Sequence, residues 1–159
     1  MLQEATMAET NLKAQVIFAT ITGNNEAVAD NIISILEERN VQVKKSEISQ
    51  TEPEELADYD LAFLVPYTYD EGSLPDEGLD YFDDLADVEL PGLTYGIAGS
   101  GDTFYEGYYC LALDKFDNQM KKTGAKRVAD LVRINLYPSP KDKERLVSLV
   151  DETIAATKK

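Results

Sequence analysis

Residues 14–38 read AQVIFATITGNNEAVADNIISILEE, and the two ends of this stretch follow different periods. Ala14 to Thr20 is a short apolar run with β-branched and aromatic members, which predicts a strand. Glu26 to Glu38 places Val28, Ile32, Ile35 and Leu36 at helical spacing. Between them lies Thr20-Ile21-Thr22-Gly23-Asn24-Asn25, a loop of hydroxyls, amides and one glycine that runs into the helix start. A strand that passes through a short turn into an amphipathic helix is the opening of a parallel α/β unit, because parallel neighbours need a crossover.

The same alternation continues outward. Asn40 ends the first helix, Val41 to Ile48 reads as a partly exposed strand, and Glu52-Pro53-Glu54-Glu55-Leu56 opens a short helix with proline in its first turn. Asp60 to Pro66 (DLAFLVP) is apolar on both faces, as a buried parallel strand should be. After a turn-rich segment at 67–75, Asp76 to Ala86 predicts an acidic helix and Leu93 to Gly99 a fourth strand. Tyr108 to Thr123 sets Leu113, Phe116 and Met120 on one helical face and stops at Gly124, a residue suited to the left-handed cap. A fifth strand is expected within Arg127 to Leu136, and Ser139-Pro140 begins a last helix with Leu146, Val147, Val150 and Ile154 inward. Five strands alternating with five helices predict a three-layer α/β/α sandwich around a five-stranded parallel sheet.

The 159 residues suffice for one packed domain, placed at 14–159. Residues 1–13 show no packing pattern and read as an N-terminal arm or a remnant before the second methionine, Met7. No apolar run is long enough to span a bilayer and the start lacks the pattern of a secretory signal, so a cytoplasmic, soluble protein is expected. The chain has one cysteine, Cys110, and no histidine, which excludes an internal disulfide and removes the commonest metal ligand and neutral-pH base. No metal site is expected. The formal net charge of -15 disfavours nucleic acid and anionic membranes as partners. That charge is segregated: residues 46–114 hold 18 acidic side chains and no Lys or Arg, whereas residues 115–159 hold 11 basic and 6 acidic ones. The densest part, Asp70 to Glu89, is either a solubilising face or a steering surface for basic partners.

In a doubly wound sheet, ligands bind beyond the carboxyl ends of the strands, and the distinctive residues lie in those loops. The first loop, 20–25, offers backbone N–H groups and a helix N-terminus to an anion. No Lys or Arg occurs between Lys13 and Arg39, so this cradle suits one terminal phosphate held by neutral donors; the plainer alternative is a capped turn. The third-strand loop, Pro66-Tyr67-Thr68-Tyr69-Asp70-Glu71-Gly72-Ser73-Leu74-Pro75, and the fourth, Gly99-Ser100-Gly101-Asp102-Thr103-Phe104-Tyr105, each carry aromatic rings. Two such rings at one edge can sandwich a planar cofactor, or close over the sheet as an apolar lid.

Thr20-x-Thr22-Gly23-Asn24-Asn25, Thr68-Tyr69-Asp70-Glu71-Gly72 and Gly101-Asp102-x-x-Tyr105 resemble, in order and spacing, the three loops of flavodoxins. The resemblance spans about residues 14–157 and is of the short-chain type. It implies a flavodoxin-like fold with strand order 2-1-3-4-5, one non-covalent flavin mononucleotide (FMN), and low-potential electron transfer between proteins without a substrate or catalytic residue of its own. It also implies that Thr20, Ile21, Thr22, Gly23, Asn24 and Asn25 hold the phosphate through side chains and loop amides. Tyr69 and Tyr105 would cover the two faces of the ring, Asp102 with the amides around Ser100 and Gly101 would meet its polar edge, and Thr68, Asp70, Glu71 and Gly72 would also bind the cofactor.

Two residues depart from the family pattern. Asn25 stands where a threonine is common, and Asp70 where many members have glycine, which turns its peptide with less strain. Weaker stabilisation of the one-electron-reduced neutral flavin is therefore expected. Full reduction would place an anionic ring beside two tyrosines in an acidic chain, making it a strong donor. The partners implied are basic-faced reductases and acceptors carrying flavin or iron–sulfur groups, met transiently by a monomer. The alternative is an FMN-dependent enzyme or activator on the same scaffold, such as a quinone reductase or a ribonucleotide-reductase-activating flavoprotein. A phosphoacceptor receiver module is disfavoured, because Ala19-Thr20 and Val65-Pro66 stand where it needs carboxylates.

Overall fold

A computed structural model of the chain describes residues 12–19, 24–66, 76–101, 111–135 and 138–157, with the backbone alone described for 24, 76–80, 101, 111, 112 and 135. Among the described residues there are six strands: β1 Lys13–Phe18, β2 Gln42–Glu47, β3 Leu61–Val65, β4 Thr94–Gly101, β5 Lys126–Arg127 and β6 Val132–Asn135. The helices are α1 Asn24–Glu38, α2 Asp76–Leu85, α3 Leu111–Lys122 and α4 Pro140–Thr157. Where a short helix was expected after β2, Pro53–Asp58 forms a 3-10 turn, closed at its start by reciprocal bonds between Glu52 and Glu55.

All ladders are parallel and the order is β2-β1-β3-β4 followed by β5, as expected. The registers set Ala14 opposite both Val43 and Leu61, and Leu61 opposite Thr94. The fifth position differs from a single continuous strand. It holds two pieces, with β5 pairing the start of β4 (Thr94 to Lys126) and β6 its end (Ala98 to Val132). Between them the chain bends at the buried Ala129, whose carbonyl accepts from Arg127 Nη1 at 2.7 Å, while Val128 stays exposed.

Successive strand residues face opposite sides, so the sheet sorts its side chains into two cores. Val16, Phe18, Phe63 and Val65 pack with Val28, Ile32 and Leu36 of α1 and with Leu146, Leu149 and Val150 of α4. Ile17, Ala62, Leu64 and Ile97 pack with Tyr81 and Leu85 of α2 and with Leu113, Phe116 and Met120 of α3. Phe82 meets Phe116 edge to face, with ring centroids 5.1 Å apart. Two helices on each side of the sheet make the three layers. The helix ends follow their residues: α1 is followed by Asn40 at φ 63 and α3 by Gly124 at φ 89, the left-handed position the sequence predicts for that glycine.

Candidate functional site

The carboxyl ends of β1, β3 and β4 lie side by side, and α1 begins there. β1 and β3 stay paired to their last residues, Phe18 opposite Val65, and the Ala19 N–H continues the ladder to the Val65 carbonyl at 3.0 Å. β3 and β4 separate earlier: their register ends at Leu64 opposite Ile97, while β4 runs on to Gly101 alongside β6. The backbones nevertheless approach closely beyond that point. A Cβ on Gly99 would sit 2.5 Å from the Pro66 carbonyl oxygen and 2.8 Å from Leu113 Cδ1, so only glycine fits without displacing backbone.

Asn25, the second residue of α1, occupies the space where the three strands part. Its side chain is fully buried, and Nδ2 donates to the Ala19 carbonyl at 2.6 Å and to the Val65 carbonyl at 2.7 Å. Its Oδ1 accepts the Ser100 N–H at 2.7 Å. A primary amide has two N–H donors, and both are taken. The expectation that this side chain donates to a phosphate is therefore corrected: it faces the strand ends, and what Asn25 offers an anion is its backbone N–H in the first turn of α1. No sequence signal reveals that role, since the partners lie up to 75 positions away.

Ser100 is fully buried within β4, and Gly101 ends that strand. Asn24 is the first residue of α1. Thr20, Ile21, Thr22, Gly23, Thr68, Tyr69, Asp70, Glu71, Gly72, Asp102 and Tyr105 lie outside the described residues. The elements that would carry them are nonetheless brought together, with β1, β3 and β4 ending against the N-terminus of α1.

The described carboxylates near that N-terminus share one ammonium. Glu26, in the first turn of α1, accepts from Lys45 of β2 at 2.7 Å, and the same ammonium reaches Asp30 at 2.9 Å. The hydrogen bonds it donates to Glu26 and Asp30 hold the Lys45 amine above its ordinary range despite partial burial. The carboxylate nearest the helix start is thus paired. Among the described residues, what this helix start offers an anion is neutral backbone N–H, which fits a terminal phosphate ester.

A second buried polar cluster lies beside the amino half of β4. Asp117 of α3 accepts from the Tyr95 hydroxyl at 2.6 Å and from Arg127 Nε at 2.9 Å, with Lys121 Nζ at 3.3 Å. Burial pushes the Asp117 carboxyl up, but the bonds from Tyr95 and Arg127 and the arginine charge outweigh it and hold the group below the usual carboxylate range. Burial, with the carboxylate beside it, drives the Tyr95 phenol far up. Both groups belong to the edge of the sheet away from the converging loops.

The flavodoxin family model matches residues 16–148. A probable flavodoxin of Bacillus subtilis (strain 168) is 35% identical over 137 residues, covering 86% of this chain and 90% of that protein. A solved short-chain flavodoxin associated with a non-canonical PDU bacterial microcompartment is 44% identical, covers 92% of this chain and 99% of its own, and superposes with a TM-score of 0.90. The flavoprotein alpha-component of the NADPH sulfite reductase of Neisseria meningitidis is 31% identical, covering 85% of this chain but only 23% of that much longer protein. With the strand order, the neutral helix start and these likenesses in agreement, the chain belongs to the flavodoxin family.

Proposed function

We propose that this flavodoxin, an electron carrier with bound FMN, works without a substrate of its own and passes electrons between basic-faced partner proteins. The observation that carries the reading is the junction of β1, β3 and β4 at the N-terminus of α1, where buried neutral contacts fix the roots of three loops. FMN supplies the redox chemistry when bound, taking up and releasing electrons singly or in pairs. The protein supplies position and electrostatics. Backbone N–H groups at the start of α1 and the loop 20–25 hold the phosphate. Tyr69 and Tyr105 stack on the ring, and Thr68, Asp70, Glu71, Gly72, Ser100, Gly101 and Asp102 line its edge.

The acidic stretch ending at Glu89 includes α2, which packs beside β3 and β4, the strands whose loops would carry the ring contacts. Long-range attraction of a basic surface suits brief encounters of a monomer with reductases and acceptors bearing flavin or iron–sulfur groups. Among the described residues no helix is long and apolar enough to cross a membrane. A cytoplasmic location, and a single domain at 14–159 preceded by an arm, complete the reading.

Titration of the apoprotein with FMN, followed by measurement of both one-electron potentials, tests it. Tight binding with well-separated potentials and a very low second step is expected. Closely spaced potentials would favour a two-electron enzyme on the same scaffold, and absence of binding would remove the site assignment.

A further inference from the structure

We propose that Asn25 is a positioning residue that locks the roots of the three flavin loops to one another, so that phosphate and ring are held by one rigid unit and not by independent loops. The strand registers join these roots unequally. The β1–β3 ladder runs to Phe18 and Val65, but the β3–β4 register stops at Leu64 opposite Ile97, three residues before Ser100. The Asn25 amide takes over where that ladder ends. It gives one N–H to the end of β1, one to the end of β3, and accepts the N–H of Ser100 in β4, all between 2.6 and 2.7 Å.

The alternatives to these bonds are poor. Asn25 and Ser100 are both 0% exposed, so water does not replace a lost partner there without opening the junction. Gly99 adds a steric limit from the other side, since β4 lies against the Pro66 carbonyl with no room for a side chain. The Asn25 backbone belongs to the helix start that meets the phosphate, while its side chain fixes the origin of the loops after β3 and β4, which bear Tyr69 and Tyr105. One residue thus sets the spacing between phosphate and ring subsites. This assignment rests on the flavin reading above for its ligand measurements, but the junction itself can be tested without flavin.

The test combines amide exchange in the apoprotein with the affinities of FMN and of riboflavin, which lacks the phosphate. In the wild-type apoprotein the Ser100 amide should exchange as slowly as core amides such as Phe63. In Asn25→Ala it should speed up relative to Phe63, and the dissociation constants of FMN and riboflavin should rise by a common factor, about tenfold. A rise for FMN with riboflavin unchanged would make Asn25 a phosphate ligand and overturn the proposal, as would unchanged affinity for both. If Asn25→Ala does not fold, Asn25→Thr, which keeps one short donor, is read in the same way. A fast-exchanging Ser100 amide in the wild type overturns the proposal with no variant at all. Failure of the wild type to bind FMN removes the functional reading instead, and is distinguished by a Ser100 amide that remains protected.

Discussion

Asn25, at the carboxyl ends of the strands, and Asp117, beside the amino half of β4, are both buried and each is met by groups from three residues. One is a neutral amide bonded to backbone; the other is a carboxylate bonded to a phenol, a guanidinium and an ammonium. Their surroundings account for the difference. Asn25 sits under a helix N-terminus suited to an anion, where a buried negative charge would repel the ligand and a buried positive one would require its own counter-ion. Asp117 lies at the far edge, where Arg127 and Lys121 can reach it and no ligand is expected. Among the described residues, the junction of the three strands is therefore held by groups that do not titrate, and the Asp117 cluster by groups that do.

The largest effect should come from giving the rim the chemistry of the edge. Asn25→Asp removes both donors from the Ala19 and Val65 carbonyls and sets a carboxyl against them, which should cost about 3 kcal/mol or more in the urea unfolding free energy. A midpoint equal to that of the wild type would show that the junction is not a tie.

The reverse exchange should do less at neutral pH and should change the pH profile. Asp117→Asn breaks the pair with Arg127 while leaving an acceptor for Tyr95, at a cost of about 2 kcal/mol. Because the folded protein holds the Asp117 carboxyl below its ordinary range, its contribution is present above that range and lost as pH falls through the lowered value. The variant should lose less stability than the wild type on acidification below about pH 4. Parallel acid limbs for the two proteins would remove Asp117 from the account.

The smallest effect should come from a charged pair that is not buried. Arg39 Nε lies 2.6 Å from Asp151, joining the end of α1 to α4, but the two side chains are 33% and 48% exposed. Arg39→Ala should cost about 0.5 kcal/mol and the difference should shrink at high salt. A cost as large as that of Asp117→Asn would blur the distinction between buried and exposed charge drawn here.

The alternation of strands and helices was legible because burial imposes a period on each element: Leu61–Val65 is apolar throughout and fully buried, and Val28, Ile32 and Leu36 repeat at helical spacing on the buried side of α1. The break between β5 and β6 was not legible. The sequence reads as one strand within Arg127 to Leu136, and at the bend a guanidinium reaches the Ala129 carbonyl, a contact that no periodicity reveals. The proposed place of the site follows from a rule about strand ends, which needs only the order of elements. The orientation of Asn25 did not, because an amide at a helix start satisfies local capping preferences equally well, and its actual acceptors include a carbonyl 40 positions away.

The tight passage of β4 past Pro66 also bears on how this chain tolerates change over generations. At position 99 even a methyl group would collide with main chain, so a randomised gene should return glycine there almost without exception. Gly92, with nothing within 4 Å of where its Cβ would stand, should drift freely through the alphabet. Two residues of one kind, seven places apart, would thus carry opposite histories, one a fixed point of the lineage and the other a neutral clock.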